Sequence, residues 1–504
     1  MKKILTTLAL VLCGLVSLNA VTVSGVAGKY SGTLKVAEDS QNGSIIILPG
    51  TEANKVTLVL PDFDFSGLNL GDIVVLNADF ASNGAISINH FPVYISALSE
   101  RAYVTINAGS VLNGNSVTLD LGIEVPSLGE GFLPVTFNGS RTQGNYQMPN
   151  AGFEDNWHSV GKGVEPNYWH SFNSGTGAVV SAAQNNVQLN ESNEVRPGST
   201  GSKSALLSSK YTNYFITKVK ANGNLTNGQI NAAGTSADDG TKNFNFSDPS
   251  NSGFNTPFTA LPDSFVFWAK YLPADGNVSS SENRARAHAV ITTNAYYKDP
   301  EDGGNYSSVK VADAERNYSA TASKGWQRVS IPFNYSSTVN ADNAAYILIT
   351  FSTNQNAGGG TSSKDAEDHI YLDDVEMIYN HDLTNFKIDG TNIVFNNGQA
   401  TNNKPFSDEK YNCQATVNGR RSDAFVGYDA ANECVVVYTV AEDFATNSSD
   451  YKIYKVQMAP AEVTGLDEVR VQQQAQKVMI NGHVYIIRNG AWYDTLGKRV
   501  HPLR

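Results

Sequence analysis

The stretch "PNAGFEDNW", residues 149–157, sets two acids, a phenylalanine and a tryptophan directly after the polar run "NGSRTQGNYQM". A second acidic cluster follows far along the chain in "DHIYLDDVEMIY", residues 368–379. The pair is open to three readings: a glycosidase's carboxylates, ligands of one metal, or two solvated strand ends. The second cluster carries a signal of its own. Ile370 and Leu372 occupy even positions, Val375 and Met377 odd ones. Apolar parity therefore flips across Asp373–Asp374, as a β-bulge would make it.

The rest of the chain is consistent with strands. Apolar residues alternate in short runs separated by Gly, Asn and Pro, and helical periodicity is nearly absent. Only 17% of the 504 residues are charged, while 41% are hydrophobic, so an all-β chain with several cores and an uncharged polar surface is expected. The net charge of −12 comes with no basic patch, which argues against nucleic acid as a partner. "MKKILTTLALVLCGLVSLNA", residues 1–20, has the two lysines, apolar run and small-residue exit of a secretory signal peptide. Cys13 lies within it, but Leu12 is a poor residue to precede a lipidated cysteine. No later run is long enough to span a membrane. In an exported chain a Cys413–Cys434 disulfide is permitted, with two free thiols as the alternative.

Residues 21–141 hold about eight evenly spaced strands, the pattern of a small antiparallel barrel. "GKYSG", "LPDFDFSGLNLGDIVV" and "LPVTFNG" resemble the calycin-like (lipocalin-like) domains of exported proteins from Gram-negative anaerobes. That resemblance implies a barrel that is either filled by its own side chains or holds a small apolar ligand. Residues 142–148 form a linker. Residues 149–381 read as a jelly-roll sandwich with long polar loops. "PNAGFEDNWHSVGKGVEPNYWHSF", "DSFVFWAKYLP", "GWQRVSIPFNY", "AAYILITFSTN" and "HIYLDDVEMIY" resemble, in order, the "putative carbohydrate metabolism domain" family. That family is similar to jelly-roll carbohydrate-binding modules, in which a "GFE" strand opens the fold and a "DDV" strand closes it. Residues 382–460 read as a small β-sandwich spacer, 461–474 as a Gln-rich linker, and 475–504 as a terminal β-meander punctuated by Asn481-Gly482, Asn489-Gly490 and Leu496-Gly497. The tail resembles the sorting domain of type IX secretion, which implies export and surface attachment.

The jelly-roll resemblance also implies a structural Ca²⁺ held by Glu154 and Asp373 or Asp374, since Ca²⁺ takes hard oxygen ligands. A glycosidase needs two carboxyls about 5–10 Å apart, one with a raised pKa. Glu154, Asp155, Glu165, Asp299, Glu301 and Asp373 supply carboxyls but sit in no catalytic motif. Sugar binding needs flat aromatic faces with polar groups beside them. Trp157, Tyr168 and Trp169, the pair Tyr296–Tyr297 with Asp299, and the alternating Arg284 and Arg286 are the candidates. Trp268 and Trp326 read as core. The expectation is an exported protein of the cell surface, outer membrane or extracellular space (periplasm, should the tail not sort) that binds a polysaccharide or oligosaccharide without cleaving it. A glycoside hydrolase and an adhesive surface protein are the rival expectations.

Overall fold

The computed structural model describes residues 20–460, except 66, 96, 99, 129–130, 215–216, 360–365 and 408–410, together with four short strands and residue 498 beyond residue 475. The leader up to residue 19, the Gln-rich linker and the three turn dipeptides of the tail lie outside the described residues. The fold is nearly all β. Among the described residues no helix is long and apolar enough to cross a membrane.

Eight antiparallel strands form the N-terminal barrel: Gly28–Val36, Asp39–Pro49, Lys55–Leu60, Ile73–Phe80, Ile86–Ile95, Glu100–Ile106, Ser116–Glu124 and Phe132–Arg141. The last pairs with both the first and its own predecessor, which closes the sheet and leaves no edge for another chain to pair with. Alternate side chains such as Tyr30, Ile47, Leu58, Val75, Val104 and Phe137 fill the interior. Gly32 faces Gly139 across the closing pair, where a Cβ would stand 2.1 Å from the Asn138 carbonyl oxygen, so only glycine fits there.

The central unit is a sandwich of two five-stranded antiparallel sheets. The first runs Leu189–Ser192, Ser204–Ser208, His369–Ile378, Ser264–Leu272, Gln327–Pro332. The second runs Asn224–Thr226, Tyr346–Ser352, Ala285–Thr292, Lys310–Tyr318, Asn334–Tyr335. Inward rows such as Phe265, Phe267 and Tyr271 meet Ala285, Ala287, Ala289, Ile349 and Phe351 in one core. The expected bulge is present. The pairing of His369–Ile378 with Ser264–Leu272 shifts between Val266 and Trp268, opposite Asp374, whose φ is +43°. The opening and closing stretches also lie side by side: the Val375 N–H donates to the Ala151 carbonyl at 2.9 Å, and the Gln147 amide bonds both backbone groups of Met377. Trp268 and Trp326 depart from expectation. Both are only half-buried, on the outer face of the first sheet, where Trp326 meets Tyr371 and Arg196 lies over Trp268. Period-2 alternation puts Trp268 opposite in sense to the buried Phe267 and Ala269.

The third unit does not stand clear as a spacer. Its strand Cys434–Val440, "CVVVYTV", is buried at every position. Val435 and Val437 face the unit's own core, while Val436, Tyr438 and Val440 pack against Ile46, Leu48, Val59, Val74 and Leu76 on the barrel's outer wall. The Tyr438 hydroxyl donates to the Pro49 carbonyl at 3.0 Å. Arg421 and Glu442 tie the same unit to the sandwich, through the Thr259 carbonyl and the Leu261 N–H. Cys413 and Cys434 stand as free thiols: Cys434 faces the barrel and Cys413 packs on the opposite side of the unit. The last described strands form a four-stranded antiparallel meander.

Tyr438→Ala removes a wholly buried ring from the barrel interface. The cost is expected to be about 3–5 kcal/mol in urea unfolding. Independent barrel and third unit would instead leave the barrel's transition unmoved.

Candidate functional site

Side chains on the outer face of the second sheet fall in cross-strand pairs: Val290 with Leu348, His288 with Thr350, Arg286 with Ser352. The face thus grades from apolar to polar along the strands. A three-stranded sheet, Gln229–Ala232, Asn243–Ser247 and Tyr297–Asp299, covers part of it. Tyr297 packs on Val290 and Leu348, which explains the apolar end. The polar end stays open as a cleft of about 690 Å³. Phe172, Phe244, Ile230 and Ala183 give it apolar wall, and Asn224, Asn231, Asn243, Asn245, Thr350 and Asn354 give it amides and hydroxyls. This mixture of apolar wall and a few convergent polar groups is that of a small-ligand site.

Arg286 organises the floor. Its Nη1 and Nη2 donate to Asp299 at 2.8 and 2.7 Å, and its Nε donates to Glu315 at 2.6 Å. His288 Nδ1 stands 3.1 Å from Asp299 Oδ1. Asp299 is wholly buried. Burial alone would raise its pKa, but the Arg286 guanidinium, with His288, outweighs it and holds the carboxyl far below the usual range.

Of the residues expected to bind sugar, the structure brings only Arg286 and Asp299 to this cleft. Tyr296 is half-exposed nearby against Phe246, and burial pushes its hydroxyl up to about 12. Tyr297 is a correction: its ring is fully buried and its hydroxyl donates to Glu301, so no face is free to stack. Arg284 is exposed just before its strand and does not line the cleft. Trp169 is also corrected. It is buried against Phe153 and Phe351, since its strandless neighbourhood folds inward under the sandwich. Trp157 is half-buried, packs on the same core and donates its indole N–H to the Phe153 carbonyl. Tyr168 is 56% exposed with φ +70°. None of these three lines the cleft. The residues that sequence reading missed are Phe172, Phe244, Asn245, Glu315 and Thr350. The alternation in "NFNFS", residues 243–247, was the available signal for two of them.

The carboxylates expected to hold Ca²⁺ are engaged by protein donors. Glu154 Oε1 accepts from the Ser202 and Lys203 N–H groups at 2.9 and 2.8 Å. Asp373 accepts from the Arg196 and Asp374 N–H groups, and Asp374 pairs with the Arg196 guanidinium. Burial raises the Asp373 carboxyl to about 6. Among the described residues no three His, Cys, Asp or Glu side chains gather as a metal site. Arg196 pairs with Asp374 and backbone donors take Glu154 and Asp373, so as arranged these residues do not fit the ion. Glu165 is likewise satisfied, accepting from the N–H and hydroxyl groups of Ser171 and Ser174.

No family model matches the chain, and no curated protein matches it. Several solved structures show partial likeness, two from Bacteroides among them. One, described as a "putative glycoside hydrolase" from Bacteroides thetaiotaomicron, is 17% identical over 55% of this chain and 83% of its own, with a TM-score of 0.33. The other, described in the same words and from Bacteroides vulgatus, is 18% identical over 45% of this chain and 96% of its own, with a TM-score of 0.32. At these TM-scores neither likeness carries an argument about this chain.

Two outcomes are expected. Excess EGTA leaves the melting temperature unchanged, and a fall would restore the calcium site. Arg286→Ala strands the Asp299 carboxylate and costs about 3–5 kcal/mol in chemical unfolding at pH 7. Because the folded pKa of Asp299 is depressed, its stabilisation is fully present above about pH 4 and is lost as pH falls toward that depressed value. The loss caused by Arg286→Ala therefore shrinks in acid.

Proposed function

We propose that this chain is an exported, surface-associated protein that binds glycan without cleaving it, and that the cleft over Arg286 and Thr350 is where the glycan sits. The observation that carries the reading is the cleft's composition. Half-buried Phe172 and Phe244 can meet the apolar faces of sugar rings, and asparagine side chains and Thr350 stand beside them for the hydroxyls. The leader and the tail signature in the sequence support export and surface attachment.

Binding is favoured over hydrolysis by the state of the carboxyls. A glycosidase needs one carboxyl that holds its proton near the working pH. In the cleft, Asp299 is held ionised and shares Arg286 with Glu315. The carboxyls that burial pushes upward among the described residues, Asp72, Asp263, Asp373 (to about 6), Glu442 and Asp443, do not line the cleft.

A glycan array probed with the full chain tests this. Binding without release of reducing sugar is expected, and Phe244→Ala is expected to weaken it by about ten-fold, the worth of about 1.4 kcal/mol of ring contact. Trp157→Ala is expected to lower the melting temperature while leaving binding intact. Sugar release that disappears in Glu315→Gln would replace the binding protein with an enzyme.

A further inference from the structure

We propose that the cleft selects uncharged, hydroxyl-rich glycan and rejects glycan carrying carboxylate or sulfate; this rests on the glycan-binding reading of the same cleft. The inference comes from an imbalance between donors and acceptors at its walls.

Among the described residues, both cations that line the cleft are committed. Arg286 spends its guanidinium on Asp299 and Glu315. Lys220, itself buried, donates from Nζ to Asp368 at 2.8 Å and to the Gly359 carbonyl at 2.7 Å. The acceptors are not committed to the same degree. Asn245 Oδ1, Thr350 Oγ and Asn224 Oδ1 are buried oxygens at the cleft wall without a hydrogen-bond partner among the described residues. Asn245 and Thr350 are 4% and 2% exposed, so bulk water does not serve these side chains, and a ligand hydroxyl reaches their oxygens as they turn toward the cleft. A buried acceptor left unpaired costs free energy, and a ligand hydroxyl that donates to it recovers that cost. Glu315 and Asp238 add negative charge to the same walls.

An anionic sugar meets this site badly. It brings further negative charge toward Glu315 and Asp238, and the lining cations among the described residues, Arg286 and Lys220, are already paired with carboxylates. Rejection by like charge is a standard source of specificity. A sugar's neutral hydroxyls suit the unpaired oxygens, and its ring faces suit Phe172 and Phe244.

The test uses the full chain and a matched pair of ligands: a neutral polysaccharide chosen as the strongest binder on the array, and the same polysaccharide oxidised at its primary hydroxyls to uronate. Affinity electrophoresis reads retention on each. The oxidised form is expected to bind about ten-fold more weakly or worse. Glu315→Gln keeps an oxygen for Arg286 and removes a charge, so it is expected to narrow that gap several-fold. Equal retention on both forms, or preference for the oxidised one, overturns the selectivity while leaving glycan binding in place. No retention on any neutral or anionic polysaccharide overturns the glycan reading itself. A gap that Glu315→Gln leaves unchanged, in a variant whose melting temperature matches the parent, removes Glu315 from the selection and overturns the charge argument.

Discussion

Asp299 is a carboxylate taken wholly out of water and still held ionised, and the arrangement around the cleft follows from that. A buried charge of this kind survives only with a partner that returns in the interior what hydration gave outside. Arg286 is that partner, and its planar fork meets both carboxyl oxygens at once. Arg286 stands on the outer face of a sheet that would otherwise be wet. The strand Tyr297–Asp299 must therefore lie across that face, and Tyr297 anchors it on Val290 and Leu348. Covering one end of the face and leaving the other open is what makes a cleft rather than a flat surface.

The same logic distributes the other buried polar groups. Asp368 is fully buried with Lys220, Ser209 and Asn354 around it, and it lies just before the closing strand of the sandwich. Glu165 collects four donors from two serines. Glu442 accepts from the Leu261 N–H and from Arg421 where the third unit meets the sandwich. Each of these carboxylates fixes a loop or an interface. Their satisfied state distinguishes them from the buried but unpaired oxygens of Asn245 and Thr350 at the cleft wall.

Much of the architecture was legible because strands advertise themselves by period. The barrel's alternating runs, the sandwich and the parity break at Asp373–Asp374 were all written in the spacing of apolar residues. The "CVVVYTV" run also carried its message, since a strand apolar at all but Thr439 is buried on both faces. What it packed against was not legible, because the partner wall on the barrel lies hundreds of residues away in the chain. The site was read poorly for a related reason. Tryptophans draw attention, yet the large ring of Trp169 is just what a core can bury most profitably, and Trp157 leans on the same core. Asn245, a modest residue in a short strand, became a site residue because the covering sheet brought it to the cleft, and Phe172 because the turn Phe172–Ser174 forms another wall of it.

Alternation along "ARAHAVIT" shows how little separates core from site in such a fold. Ala285, Ala287 and Ala289 face inward, and their small size lets the aromatic rows of the first sheet come close. Arg286 and His288, one residue away each time, face outward and carry the charge network. A shift of one residue in the pairing with Tyr346–Ser352 would drive Arg286 into the hydrophobic core and expose the alanines. The cost of burying that arginine without Asp299 makes the slip prohibitive. The ion pair beneath the cleft thus also pins the register of the sheet that bears it, so stability and the shape of the binding surface are set by the same pair of residues.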